Sequence, residues 1–108
     1  MQRRVDLIVS GGENVVPSEV ERALLEHPEV EQACVVGLDD PQWGQRVAAA
    51  VVRKRGAGTS EAALRTFCED KLAGFKRPRL VHFVERLPQT SAGKLDRSAL
   101  AQQLSHTL

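Results

Sequence analysis

The chain has 108 residues, of which 42% are hydrophobic and 27% charged, so it can form one compact domain with a core but not two. A net charge of +1 argues against a domain that binds nucleic acid, because such domains usually carry a marked basic excess. No apolar run approaches the roughly 20 residues that cross a bilayer, and the N-terminus lacks the apolar region of a signal peptide. We therefore expect a cytoplasmic protein without a membrane span or a nucleic-acid partner.

The cysteines and histidines offer no metal site. Cys34 and Cys68 lie far apart, each within an apolar segment, and we interpret both as buried, reduced thiols. A disulfide between them has no support. The chain contains no CxxC motif and its three histidines are scattered, so a metal site is not expected.

The first half of the chain predicts three strands and one helix. Residues 5–9 form a short strand, and residues 10–14 form a loop. A helix then begins near Pro17, with Ser18 and Glu21 at the spacing of a capping box, and ends at Pro28. The two further strands cover residues 30–38 and 47–52, with a loop over residues 39–44 between them. The second of these is a run of small apolar residues, which indicates a central strand buried on both faces.

The second half predicts a helix, a strand and a final helix. Thr59 or Ser60 caps the first of these helices, which Gly74 closes, and its inner face carries Leu64, Phe67, Cys68 and Leu72. Residues 80–84 form a strand and residues 88–93 a flexible loop. Asp96 caps the last helix, which carries Leu100 and Leu104 on one side. The order β-α-β-β-α-β-α predicts an α/β fold, an α+β two-layer sandwich in which helices pack on a small mixed sheet.

The loop that ends in Gly93 and Lys94 is the first candidate for chemistry. It is not a P-loop, because Pro88 stands where that motif has its first glycine and Leu95 follows the lysine. A lysine on a loop of small residues can be delivered to a developing negative charge. An ordinary surface lysine explains the pattern more simply.

Residues 75–79 are the second candidate. They combine Phe75 with the cations Lys76, Arg77 and Arg79, and Pro78 keeps the chain extended. This pattern suits phosphate groups with an adenine stacked on the ring, but a charged strand entrance explains it equally well.

Glycine and tryptophan supply two weaker signals. Gly11 and Gly12 would allow close backbone approach to a ligand, or would simply make a tight turn. Trp43 is either a core anchor, which is the default, or a ligand platform. No Ser-His-Asp or Cys-His arrangement is present, so the chain by itself is not expected to run a reaction.

Together, five segments resemble the C-terminal domain of the adenylate-forming superfamily, which includes acyl-CoA synthetases, peptide-synthetase adenylation domains and luciferases. In chain order they are RVDLIVSGGENV (4–15), PSEVE (17–21), DPQWGQ (40–45), FKRP (75–78) and LPQTSAGK (87–94). The SGGEN and FKRP forms are similar to those of acyl-CoA synthetases.

The resemblance implies that residues 1–108 are the mobile lid of an ATP-dependent acyl-CoA ligase. The partner of the lid would be the protein's own N-terminal domain, which holds the acyl pocket and is absent here. In this family a carboxylate attacks ATP to give an acyl-adenylate, the lid swings about a hinge, and the CoA thiol then displaces AMP. The implied cofactors are ATP with Mg²⁺ and CoA. The sequence of residues 3–14 resembles those of o-succinylbenzoate–CoA ligases or of fatty-acyl and aryl-CoA ligases.

The resemblance also implies roles for single residues. Lys94 matches the catalytic lysine of adenylation, and Gly12 borders the pantetheine tunnel of the second step. The hinge falls on Val5 or Asp6, and Arg3 matches a ribose or AMP contact. The full set that matches CoA-binding positions is Gly11, Gly12, Glu13, Trp43, Phe75, Arg77 and Arg79. Alone, the fragment is expected to be inactive. The alternative function is a freestanding CoA-binding, nucleotide-binding or regulatory module without catalysis.

Overall fold

A computed structural model describes residues 7–107. Its elements are β1 (Ile8–Ser10), β2 (Glu13–Val15), α1 (Pro17–Leu25), β3 (Val30–Asp40), β4 (Gly44–Arg53), α2 (Glu61–Glu69), a 3₁₀ turn (Gly74–Lys76), β5 (Leu80–Phe83) and α3 (Arg97–Thr107). No helix within the described residues is long and apolar enough to cross a membrane.

Strand β4 is the centre of a single five-stranded sheet. β3 pairs with it in antiparallel fashion along its whole length. The other edge of β4 first meets β1, where Ser10 lies opposite Gly44, and then meets β5, which runs parallel to it. β2 extends the sheet beyond β1. The predicted α/β class with a small mixed sheet is therefore confirmed.

Small apolar side chains let β4 serve two cores, as its sequence predicted. Alternate residues of a strand point to opposite faces of its sheet. Val47, Ala49 and Val51 join the core beneath α1 and α2, whereas Ala48 and Ala50 join a second core beneath α3. The predicted two layers describe the sheet with α1 and α2, and α3 adds a further layer on the opposite face.

The first predicted loop is a β-hairpin, so the chain has one more strand than predicted. Ser10 pairs with Glu13, and the turn between them consists of Gly11 and Gly12, both with positive φ. Positive φ at both central residues is the geometry that joins short antiparallel strands. β2 escaped prediction because its three residues, Glu13–Val15, include a single buried apolar side chain.

The predicted capping box of α1 is wrong. The N-cap is Val16, which makes no side-chain hydrogen bond. Glu21 instead lies on the buried stripe of the helix with Pro17, Val20 and Leu24. Its carboxylate is used elsewhere, at the edge of the sheet.

The caps of the later helices divide into confirmed and corrected predictions. The Ser60 hydroxyl accepts a hydrogen bond from the Ala63 N–H (3.1 Å), and Asp96 Oδ1 accepts one from the Ala99 N–H (3.0 Å), as predicted. Helix α2 ends at Glu69 rather than at Gly74, which begins the 3₁₀ turn.

Both cysteines are free and buried, in agreement with the sequence interpretation. Burial, reinforced by the Glu21 carboxylate, raises the pKa of the Cys34 thiol to about 12. Burial also raises the pKa of Cys68. Since the thiolate is the reactive form, neither residue is a nucleophile near neutral pH.

We predict that thiol reagents at pH 8 label the folded chain far more slowly than the same chain in urea. The folded state keeps Cys34 protonated while the unfolded chain ionises it near its ordinary pKa of 9.0. The free energy of unfolding should therefore fall as the pH rises from 9 towards 12. Labelling of the folded protein at the unfolded rate would contradict this account.

Candidate functional site

Three of the predicted ligand residues meet where β1 and β5 follow one another along β4. The Gly11 N–H donates to the Trp43 carbonyl (2.9 Å), and the Arg79 guanidinium lies 4.7 Å from the centre of the Trp43 ring. The Arg79 N–H is held by the carbonyl of Val47 (2.8 Å). We call Gly11, Trp43 and Arg79 the Trp43 platform.

The two glycines of the hairpin have different surroundings. A Cβ on Gly11 would lie 2.9 Å from Trp43 Cε3, so this glycine is required by close packing against the ring. A Cβ on Gly12 would meet no atom within 4 Å, and its φ of +82° places it at the exposed tip. Of the two hairpin glycines, Gly12 is therefore the one whose backbone is open to a ligand.

Trp43 is not the core anchor that its residue type favoured by default. It is 37% exposed. The Asp40 carboxylate holds its backbone in place by accepting hydrogen bonds from the Gln42 and Trp43 N–H groups. Its role as a ligand platform stays a prediction, now with a cation placed over the ring.

Phe75 is also 37% exposed, at the centre of the 3₁₀ turn that lies beside β2. Glu13, at the start of β2, is exposed as well. Lys76 Nζ lies 5.6 Å from the Phe75 ring centre and forms an ion pair with Glu19 (3.0 Å). The fold thus brings the hairpin and the FKRP segment to neighbouring positions.

The two arginines within residues 75–79 have different settings. Arg77 donates from Nε to the carbonyl of Leu72 (3.0 Å) and from Nη2 to that of Glu69 (2.8 Å). It therefore binds the carbonyls at the C-terminal end of α2, where a cation is favoured. Arg79 is exposed and contacts Trp43 through its charged end.

Lys94 lies on a narrow loop outside both cores. Thr90 and Lys94 close the loop through an N–H to carbonyl bond of 2.7 Å and a bond from the Lys94 N–H to the Thr90 hydroxyl of 3.3 Å. The side chain is exposed, and within residues 7–107 no hydrogen bond or ion pair holds its ammonium group. A lysine packed inside the domain could not be presented to a partner, whereas this one can.

Three predicted residues lie outside the described part of the chain: the hinge candidates Val5 and Asp6, and Arg3. Within residues 7–107, no group of three or more His, Cys, Asp or Glu side chains is arranged to hold a metal ion.

A family comparison now identifies the domain. The model of the AMP-binding enzyme C-terminal domain matches residues 19–94. The chain belongs to this family. The predicted resemblance is thereby confirmed at the level of the family.

Individual relatives of this AMP-binding enzyme C-terminal domain are ligases. The 2-succinylbenzoate–CoA ligase of Geobacillus kaustophilus (strain HTA426) is 50% identical over 107 residues, which are 99% of this chain and 22% of the relative. The chain thus spans about a fifth of the curated relatives that it matches.

Two solved structures are similar to this chain in fold and in sequence. The apo MatB structure from Rhodopseudomonas palustris aligns with a TM-score of 0.92 at 35% identity, over 97% of this chain and 21% of that one. The o-succinylbenzoate CoA synthetase (MenE) of Bacillus subtilis, in complex with the acyl-adenylate intermediate OSB-AMP, aligns with a TM-score of 0.86 at 41% identity, over 92% and 20%.

Two residues of this AMP-binding domain were missed as functional candidates. Glu21 accepts a hydrogen bond from the Val35 N–H and pairs with Arg97, all at 2.8 Å. The available signal was a carboxylate on the apolar stripe of α1, since a charged residue at such a position is almost never buried without a partner. The capping-box spacing hid this signal.

We predict that Arg77→Ala destabilises the domain more than Arg79→Ala. Arg77 loses two charged hydrogen bonds to backbone carbonyls, which should lower the free energy of unfolding by about 2 kcal/mol. Arg79 loses an exposed contact with an aromatic ring, worth about 1 kcal/mol or less. Urea denaturation followed by circular dichroism measures both, and equal losses would contradict the assignment.

Proposed function

We propose that this domain is the moving lid of an ATP-dependent acid–CoA ligase. In this proposal it presents Lys94 during adenylation, and then the Gly12 hairpin and the Trp43 platform during thioester formation. The observation that carries the proposal is that Lys94 and Gly12 are both exposed, on separate loops of one domain. Family membership supplies the chemical context.

Lys94 suits the first step because negative charge accumulates on the reacting oxygens during that step. A carboxylate oxygen of the acid bonds to the α-phosphorus of ATP, and the bond from that phosphorus to pyrophosphate breaks. An ammonium group offers a point charge with three donors to the oxygens that carry this charge. Its effect would grow when the lid closes and removes water, because electrostatic stabilisation is stronger in a dry site. ATP would bring Mg²⁺ with it.

Gly12 suits the second step because of its openness. The CoA sulfur must reach the acyl carbon of the adenylate so that AMP can leave. A side chain on Gly12 would point away from the domain into whatever faces the hairpin, because nothing of the domain lies within 4 Å. A bare backbone there leaves a narrow passage for the pantetheine chain.

The Trp43 platform suits the nucleotide end of CoA. Arg79 is exposed and lies over the indole, so a phosphate group can reach the guanidinium while an adenine contacts an aromatic ring. Phe75 offers a second partly exposed ring nearby. Arg77 is already bound to two backbone carbonyls, which makes Arg79 the better candidate for a direct phosphate contact.

We further propose 2-succinylbenzoate as the acid. Support comes from the relative named for this substrate at 50% identity and from the neighbour solved with OSB-AMP. The acid pocket would lie in the N-terminal domain.

In the full-length protein, Lys94→Ala should lower the rate of adenylation of 2-succinylbenzoate by about 100- to 1,000-fold, the usual loss for a group that stabilises transition-state charge. Thioester formation from supplied acyl-adenylate should change little. Pyrophosphate release and CoA-ester formation measure the two half-reactions. Lys54→Ala, which removes an exposed lysine from another turn, is the matched control.

Equal losses in both half-reactions would contradict the role of Lys94. A full-length protein that binds CoA but forms no acyl-adenylate would favour the alternative of a binding or regulatory module.

We predict that Gly12→Leu spares adenylation and blocks thioester formation, because the new side chain would fill the passage for pantetheine. Gly56→Leu is the matched control, since Gly56 has a similar φ (+79°) and equally open surroundings at a different turn. It should share the backbone strain but keep both half-reactions. If Gly12→Leu loses adenylation and Gly56→Leu does not, the role proposed for the hairpin is wrong.

A further inference from the structure

A buried carboxylate joins the two helical layers at the edge of the sheet. Glu21 is only 8% exposed, and both of its oxygens lie 2.8 Å from Nη2 of Arg97. One of them also accepts a hydrogen bond from the Val35 N–H (2.8 Å). The contact is therefore a charge-assisted network of three elements rather than a surface ion pair.

The network passes round the outer edge of β3. Helix α1 packs on one face of the sheet and α3 on the other, and β3 is paired with β4 on one side only. Val35 donates its N–H away from β4, to Glu21. Glu21 and Arg97 thus connect opposite layers that share no other described ion pair.

Arg97 is the first residue of α3 and follows Lys94 by three positions. Asp96, between them, caps the helix through Ala99 and donates its N–H to the Pro88 carbonyl (2.9 Å) at the other end of the loop. Leu87, just before the loop, is buried in the second core. The start of α3 therefore holds the loop from one side and the core holds it from the other.

Few large apolar side chains hold α3, with the partly buried Leu95 and Ala101 packed beside them. Leu100 and Leu104 are its fully buried side chains within the described part of the helix. Apolar contacts are non-directional, so two leucines permit small rotations and shifts along the sheet. The partly buried pair of Glu21 and Arg97 has defined hydrogen-bond directions, and such pairs can specify geometry even when they add little net stability.

We propose that Glu21 and Arg97 are positioning residues for Lys94. The pair fixes the start of α3 and so sets the direction in which the loop presents its ammonium group during adenylation. This inference rests on the proposed function, because it assigns Lys94 to that step. No described hydrogen bond or ion pair joins Glu21 or Arg97 to the Gly12 hairpin, so we expect the pair to affect adenylation rather than thioester formation.

The test uses the full-length ligase and Glu21→Gln. The glutamine keeps an oxygen for the Val35 N–H but loses the charge that holds Arg97. We expect kcat of adenylation to fall by about 10- to 100-fold, the loss typical of a reactive group misplaced by about 1 Å. KM for ATP and thioester formation from supplied acyl-adenylate should stay within about twofold.

Two further variants separate positioning from folding. Arg97→Lys keeps a cation opposite Glu21. It should therefore retain much of the adenylation rate that Arg97→Gln loses. Glu26→Gln removes another ion pair of α1, with Lys71 (3.1 Å), which has no connection to the Lys94 loop. It should leave both half-reactions unchanged.

The single variant Arg97→Gln and the double variant Glu21→Gln/Arg97→Gln complete a mutant cycle. If the residues act through each other, the adenylation rate of the double variant is no lower than that of the worse single variant. Independent, additive losses would overturn the proposal, as would equal losses in both half-reactions that follow the melting temperature. If Lys94→Ala impairs adenylation and Glu21→Gln does not, the positioning proposal is wrong while the proposed function stands. If Lys94→Ala has no effect, the proposed function fails.

Discussion

The burial of β4 on both faces is the constraint on which the rest of the domain depends. A strand between two helical layers must carry small apolar side chains, and the segment from Val47 to Val51 supplies them. Because β4 also pairs with β3, β1 and β5, it sets where each neighbouring loop emerges. The hairpin tip and the entrance to β5 meet because β1 and β5 share one edge of β4. The Trp43 platform is a consequence of this arrangement.

Two open edges of the sheet, those of β3 and β5, accept cover from carboxylates of the helices. Glu21 accepts a hydrogen bond from the Val35 N–H at the edge of β3, and Glu61 accepts one from the Val81 N–H at the edge of β5. Unpaired strand edges invite pairing with other chains, so these side chains have a protective role. In the case of Glu21, the same carboxylate also binds Arg97 and connects protection of the edge with the geometry of the Lys94 loop.

The proposed lid function needs exposed functional groups on a single domain. Lys94 offers an exposed side chain, whereas Gly12 offers an exposed backbone without a side chain. Arg77 and Arg79, both within residues 75–79, differ similarly in their contacts. Arg77 stabilises the end of α2, and Arg79 remains accessible over Trp43. Near-neutral total charge leaves these few cations as local features rather than as parts of a basic surface.

The sequence by itself determined the family, the fold class, the buried character of β4 and the Ser60 and Asp96 caps, because these depend on residue order and local periodicity. Only the tertiary structure decided what Glu21, Arg77 and Trp43 contact. The spacing of Glu21 fits a cap, that of Arg77 fits a phosphate site, and Trp43 by type fits a core. Their partners lie on other elements, and contacts between distant segments leave no periodic trace in a single sequence.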